Sequence, residues 1–116
     1  MAIAVTATRE TLAAAYAGAG TWISLHTASP STTGANEATG GSPAYARKQT
    51  TWTPGASDGV TTGSQVTFDV PAGTYTHIGI WSAATAGTFI DSYDIPVDVV
   101  MGAQGQIQVT PTYTQS

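Results

Sequence analysis

The chain has few side chains that could carry out chemistry, and the first to consider are its two histidines, His26 and His77. A protein zinc site takes three or four converging ligands. Cysteine and a third histidine are both missing from the sequence, so carboxylates would have to complete any such set. We therefore expect structural roles for both histidines. His77 alternates with Gly79 and Trp81, so it could also stack on an aromatic ring, face a neighbouring subunit or make assembly depend on pH.

The closest group of acidic residues is Asp91, Asp94 and Asp98. Calcium-binding loops place oxygen ligands at closely alternating positions and turn on a glycine. The aspartates here are spaced three and then four apart, with Pro96 between them and no glycine. The pattern therefore favours a solvated hairpin end over a calcium site.

Motifs for nucleophiles and for phosphate binding are also missing. Gly41-Ser42 and Gly63-Ser64 lack the G-x-S-x-G pattern of a nucleophile elbow, and the glycines at 18 and 20 do not lie between a strand and a helix. The sequence therefore predicts no catalytic residues, no metal site and no cofactor, and we expect the protein not to be an enzyme.

Aromatic residues are the remaining candidates for a binding site. They could form a surface on which sugars stack, or they could anchor the core and protein interfaces. The second interpretation is favoured. The residues concerned are Trp22, Trp52, Trp81, Tyr45, Tyr75, Tyr93 and Tyr113.

Charged residues are unusually scarce. Asp, Glu, Lys and Arg make up 9% of the 116 residues, against about 25% in ordinary soluble domains. Three basic residues and a net charge of -4 cannot form the phosphate contacts that bind nucleic acids, and they also disfavour anionic membranes. Because exposed charge normally keeps monomers apart, we expect other subunits to cover much of the surface and the chain to form a homo-oligomer, with a trimer as one form.

One helix is predicted, over residues 8–17. Thr8 is a suitable N-cap, with Glu10 in the first turn. Gly18 and Gly20 provide the stop.

The rest of the chain has the pattern of short strands. Alternating apolar residues predict that Val66, Phe68 and Val70 face a core, and that Ile23 and Leu25 do the same. Pro96 and Pro111 suggest sheet edges or strand ends. The sequence predicts one domain, 1–116, that is mainly β: an antiparallel sandwich of about seven or eight strands over 21–113. The strands are predicted at 22–27, 45–52, 65–70, 76–82, 88–93, 97–101 and 106–113, with a turn region at 54–63.

Residues 28–44 form a long irregular segment that is rich in Gly, Pro and Ser. A connection of this length inside a compact domain is typical of an interaction loop or an arm. Glu37 and Arg47, two of the few charged residues, lie beside it and could pair with each other or with a neighbouring subunit. We predict a subunit interface at Glu37, Tyr45, Arg47, His77 and Trp81.

Several short motifs resemble a family of small virion proteins of tailed bacteriophages, of the actinobacteriophage type. Its members are usually labelled tail-fibre-like, minor tail, or minor capsid and decoration proteins. The matching segments are TWISLHT at 21–27, TGANE at 33–37, GSPAYAR at 41–47, VPAG at 70–73, THIGIWS at 76–82 and GTF at 87–89.

The resemblance implies a non-enzymatic structural protein of the virion, made in the host cytoplasm. A decoration or minor capsid protein on the capsid exterior is our first choice, because the chain has no coiled coil, collagen-like run or β-helix repeat that would form a fibre shaft. The alternatives are a minor tail or tail-fibre-like protein and a carbohydrate-binding adhesin module. The expected partners are the major capsid protein or tail subunits, with a host-surface glycan as a further alternative.

Overall fold

The computed structural model describes residues 4–54 and 59–114, and in these residues the chain forms one helix and nine strands. The elements are α1 (Thr6–Ala19), β1 (Trp22–His26), β2 (Lys48–Gln49), β3 (Trp52–Pro54), β4 (Val60–Gly63), β5 (Val66–Val70), β6 (Gly73–Trp81), β7 (Phe89–Met101), β8 (Gly105–Val109) and β9 (Thr112–Thr114). The prediction of a mainly β, sandwich-like fold with an N-terminal helix is confirmed.

In the part of the chain that the structure describes, the strands form three antiparallel sheets. A four-stranded sheet has the order β2-β1-β6-β7, a three-stranded sheet has the order β3-β4-β9, and β5 pairs with β8. The register of β1 and β6 places Ile23 opposite Ile80 and Ser24 opposite Gly79. Residues that lie opposite each other share a face of the sheet, so the two faces of this strand pair are chemically different.

The core lies between the four-stranded sheet and the β5–β8 pair. Phe68 and Val70 are fully buried and Val66 is nearly so, which confirms the alternation predicted for this strand. They join Ile23 and Leu25 of β1 in one apolar cluster. Burying these side chains supplies the main driving force for packing the two layers.

The helix is longer than predicted. It begins at Thr6, and its N-cap is Val5, which makes no side-chain capping bond. The predicted N-cap role of Thr8 is therefore wrong: its backbone N–H already bonds to the carbonyl of Val5 inside the first turn. Gly18 does not stop the helix, because an alanine-rich run strongly favours helix. The helix ends before Gly20, where a Cβ would lie 2.6 Å from the carbonyl oxygen of Trp81.

Some strand boundaries also differ from the prediction. The strands predicted at 88–93 and 97–101 are parts of the single strand β7, which begins at Phe89. Its register against β6 shifts at two places, and the larger shift is a bulge between Asp94 and Val99. Pro96 lies in this bulged segment of an edge strand, as predicted, where a missing backbone N–H costs least. Pro111 separates β8 from β9, so the strand predicted at 106–113 is two strands.

The predicted strand at 45–52 is likewise divided into β2 and β3. Its first residues instead belong to the long connection after β1. The predicted turn region at 54–63 contains strand β4, and its residues 55–58 lie outside the described residues. The helix packs on β3 and β4, with Ala13 buried. Within the described residues, no helix has the length and apolar character needed to cross a membrane.

Candidate functional site

Both faces of β1 are buried, which the sequence pattern did not predict. Ile23 and Leu25 face the core as expected, but Ser24 and His26 on the opposite face are also fully buried. The long segment after β1 covers this second face. Its residue Gly34 lies so close to the indole ring of Trp81 that a side chain there would overlap the ring.

A chain of hydrogen bonds runs through this covered face. His26 Nδ1 lies 2.7 Å from the carbonyl oxygen of Ala35, and a carbonyl can only accept, so Nδ1 carries the proton in neutral His26. His26 Nε2 then accepts from the hydroxyl of Ser24, 2.7 Å away. Ser24 Oγ in turn accepts from Trp81 Nε1 at 2.9 Å. Burial lowers the pKa of His26, so the neutral imidazole that this chain requires is favoured.

Gly79 makes room for the hydrogen-bonded pair. A Cβ at this position would overlap Ser24 Oγ and lie 2.6 Å from His26 Nε2. The glycine therefore allows the close approach of two polar side chains from the neighbouring strand.

Next to the hydrogen bonds of His26, Ser24 and Trp81 lies a second group of contacts. We call it the Arg47 cluster, and it is formed by Glu37, Tyr45, Arg47 and Trp81. The guanidinium of Arg47 binds Glu37 in a two-pronged geometry, with Nε and Nη2 each 2.9 Å from a carboxylate oxygen. The guanidinium carbon lies 3.6 Å from the centroid of the Trp81 ring. Such forked pairs are strong and directional, and the aromatic face adds attraction for the cation.

Arg47 also joins the two loops that flank the cluster. Its Nη1 donates to the carbonyls of Ala83 at 3.1 Å and Ala86 at 2.9 Å, both in the turn between β6 and β7. Only 9% of its side chain is exposed. The side chain therefore ties the loop after β1 to the loop after β6.

Tyr45 completes the cluster from the inside. Its hydroxyl donates to Glu37 Oε2 at 2.9 Å and accepts from the backbone N–H of Leu25 at 3.0 Å. Burial raises the pKa of Tyr45, and the neighbouring Glu37 carboxylate raises it further. The neutral tyrosine therefore links the backbone of β1 at Leu25 to the ion pair of Glu37 and Arg47.

His77 lies apart from the other four residues of the predicted interface. Its Nδ1 is 2.7 Å from Thr76 Oγ1, and its Nε2 is 3.8 Å from a carboxylate oxygen of the exposed Asp94. The structure therefore brings together Glu37, Tyr45, Arg47 and Trp81 as an internal cluster. An interface role for the five residues stays a prediction.

The three aspartates lie within β7, so the predicted hairpin end is wrong. Asp94 and Asp98 are exposed, whereas Asp91 is half-buried. The strand continues through them because the break expected at Pro96 is absorbed as a bulge in an edge strand. Among residues 4–54 and 59–114, no three His, Asp or Glu side chains converge in a way that could hold a metal ion.

Asp91 forms part of a cleft between α1, β3, β7 and β9. The cleft has a volume of about 300 Å³, and its walls include Tyr16, Trp52, Tyr93 and Tyr113. We call it the Asp91 cleft. Tyr16 donates from its hydroxyl to Asp91 Oδ2 at 2.9 Å. Burial raises the pKa of Tyr16, and the Asp91 carboxylate raises it further, so the hydroxyl keeps its proton for this bond.

The aromatic rings of the Asp91 cleft are held by direct contacts. Tyr16 and Tyr113 stack with centroids 3.7 Å apart at 10°, and Trp52 meets Tyr16 edge-on at 6.3 Å. The indole nitrogen of Trp52 donates to the carbonyl of Gly20 at 2.9 Å. The Arg47 cluster and the Asp91 cleft therefore each combine a carboxylate, a tyrosine hydroxyl and a tryptophan.

Comparison with protein families identifies the class of protein. The family model described as Podophage GP4 fiber I protein gp80 matches residues 5–110. The chain belongs to this family. It is therefore a structural protein of a phage virion, which confirms the predicted class. The narrower assignment to actinobacteriophages stays a prediction. Comparison with curated proteins gave no match.

The segment matched by the gp80 fibre family contains the whole Arg47 cluster and most of the Asp91 cleft. The sequence analysis had singled out every member of the Arg47 cluster. It missed Tyr16 as a member of the cleft, because Tyr16 lies within the predicted helix over residues 8–17 and Asp91 is 75 residues away. The one available signal was the aromatic set, which included Trp52, Tyr93 and Tyr113.

Proposed function

We propose that this member of the gp80 fibre family is a non-enzymatic structural subunit of the phage fibre that acts by binding other virion proteins. The observation that carries the proposal is the family match, which extends over residues 5–110. The sequence-based first choice was a decoration protein on the capsid exterior. The fibre family favours the tail-side alternative instead.

The fold supports a compact fibre module more than a fibre shaft. The molecule measures 46 × 27 × 24 Å, and its strands form short antiparallel sheets. Shafts are built from extended repeats such as coiled coils, collagen-like helices or β-helices. A compact module fits an end or a joint of a fibre, where it would contact neighbouring subunits.

The geometry around Ser24 supports a non-enzymatic role. Ser24 and His26 resemble a nucleophile and its base, since their polar atoms lie 2.7 Å apart. Both residues are, however, fully buried. The serine oxygen also accepts from Trp81, and the histidine is oriented by the carbonyl of Ala35. A substrate cannot reach this serine without opening the segment that covers it.

The scarcity of charge supports contact with other subunits. Only 9% of residues are charged, and the exposed large apolar side chains include Val97 and Val100 of the edge strand β7. Exposed apolar patches on an edge strand favour association. We propose a homo-oligomer, with a trimer as one form, that is held in the particle by these surfaces.

The position in the particle is tested by separating heads from tails. Phage particles are disrupted, full heads and detached tails are isolated on a density gradient, and the protein is quantified in each fraction by mass spectrometry. We expect it in the tail fraction, at a handful of copies per particle. Recovery with the heads at hundreds of copies would contradict the fibre proposal and favour capsid decoration.

A further inference from the structure

Asp91 is a half-buried carboxylate without a cation. Its Oδ2 accepts from the hydroxyl of Tyr16 at 2.9 Å, and its Oδ1 accepts from the backbone N–H of Ser92 at 2.8 Å. The Arg47 ion pair and the His77 contact with a carboxylate, both among the described residues, involve other carboxylates, those of Glu37 and Asp94. Carboxylates removed from water are normally paired with a cation.

The surroundings of Asp91 would suit a cation. Aromatic faces attract cations through their negative π surface, and four aromatic residues line the cleft: Tyr16, Trp52, Tyr93 and Tyr113. None of the described residues that line it is Lys, Arg or His. Tyr93 is 57% exposed, so the cleft opens to the molecular surface.

The same molecule shows what fills such an arrangement. In the Arg47 cluster, Glu37 accepts from the hydroxyl of Tyr45 at 2.9 Å, as Asp91 does from Tyr16. There the position between carboxylate and indole is taken by Arg47, 3.6 Å from the ring centroid of Trp81. The Asp91 cleft has the carboxylate, the tyrosine and the tryptophan, but the chain supplies no arginine to it among the described residues.

We propose that the Asp91 cleft binds an arginine side chain of a different virion protein, an inference that rests on the proposed structural function. A volume of about 300 Å³ is at the small end of ligand pockets and suits the end of one side chain. A planar guanidinium can stack on an aromatic ring and bind a carboxylate with two hydrogen bonds.

A different protein is favoured over a second copy of this chain because the chain has only three basic residues. Arg47 is committed to Glu37, and Arg9 also makes an interaction within its own chain. Lys48 lies on β2, at the opposite edge of the sheet from β7, and its ammonium lacks the planar fork of an arginine.

The test uses NMR titration of the whole protein with two short peptides. One is acetyl-Gly-Arg-Gly-amide, and the other contains citrulline, the uncharged analogue of arginine. We expect the arginine peptide to shift the indole N–H signal of Trp52 and to bind about tenfold more tightly than the citrulline peptide, because hydrogen bonds to an ionised donor are stronger. Asp91→Asn should abolish the difference, and Asp98→Asn, on the exposed part of the same strand, should leave it unchanged.

Equal binding of the two peptides, or an unchanged preference in Asp91→Asn, would overturn the proposal. Binding of methyl glucoside at Trp52 without any preference for arginine would overturn it in favour of a sugar site. The comparison of peptides on the unmodified protein decides the question even if Asp91→Asn fails to fold. If neither peptide binds, the arginine proposal is overturned but the fibre proposal stands. The fibre proposal depends instead on whether the protein is found in the head fraction or the tail fraction.

Discussion

Arg47 lies with its guanidinium carbon 3.6 Å from the ring centroid of Trp81, and this contact joins two parts of the chain that the fold must hold together. Arg47 is the last residue of the long loop after β1, and Trp81 ends β6. The same guanidinium binds Glu37 and two carbonyls of the loop between β6 and β7. One side chain therefore organises the covered face of the four-stranded sheet.

Replacing Arg47 should destabilise the fold strongly. In Arg47→Ala, Glu37 loses its cation, and its side chain is only 22% exposed in the native structure. Removing one partner of a buried pair costs about 3–5 kcal/mol, and partial exposure of Glu37 should reduce this to about 2–4 kcal/mol. The free energy of unfolding in urea measures the loss. Lys48→Ala, next to it in sequence, is the control and should cost less than about 0.5 kcal/mol. Equal stability of the two variants would show that the cluster does not stabilise the fold.

Gly79 should not tolerate a methyl group. In Gly79→Ala the new Cβ would overlap Ser24 Oγ and approach His26 Nε2 to 2.6 Å. Overpacking of this kind costs about 1–3 kcal/mol. Gly102→Ala is the matched control, because a Cβ there meets nothing within 4 Å. If thermal unfolding gives the same midpoint for both variants, the close packing around Gly79 is refuted.

The hydroxyl of Tyr45 should contribute to stability because it satisfies the backbone N–H of Leu25. Tyr45→Phe leaves that N–H without its acceptor and removes a hydrogen bond to Glu37, which should cost about 1–3 kcal/mol. Tyr93→Phe removes a hydroxyl from a side chain that is 57% exposed and should change little. Urea unfolding of both variants makes the comparison, and a loss no larger in Tyr45→Phe than in Tyr93→Phe would contradict the bridging role.

His26 should make stability fall as the pH is lowered from about 7.5 to about 5.5, with most of the loss below about 6.5. Burial lowers the pKa of His26 in the folded state, so below its ordinary value of about 6.5 the unfolded chain binds the proton more readily. Stability from this residue is complete above that value and declines as the pH falls, by at most about 1.4 kcal/mol per pH unit. The measurement is urea unfolding across this range in a His77→Gln background, so that His26 is the one titrating histidine.

The control is the His26→Gln, His77→Gln double variant, which should show a nearly flat stability profile over the same range. If the stability profile of His77→Gln is as flat as that of the double variant, the pKa of His26 is the same in the folded and unfolded states. That result would contradict the prediction.

The local pattern of the sequence was enough to predict the parts of the fold that depend on neighbouring residues. The alternation of Val66, Phe68 and Val70 identified a half-buried strand, and Pro96 indicated an edge. Strand β4 was missed because the run from Val60 to Gly63 is short and follows a segment rich in Gly, Ser and Pro. Such composition normally indicates a turn.

The sites depend on contacts that no local pattern contains. Glu37 and Arg47 could be matched because the chain has so few charges. Tyr16 and Asp91 could not, since one lies on a helix and the other on a strand 75 residues later. The burial of Ser24 and His26 also escaped prediction, because the segment that covers them has no regular structure of its own.

The central claim, that this gp80-family chain is a fibre subunit, is tested most directly by labelling intact phage particles with a gold-conjugated antibody to the protein and imaging them by electron microscopy. We predict that the gold lies at the tail fibres, with few particles of gold per virion. Gold spread over the surface of the head would contradict the claim.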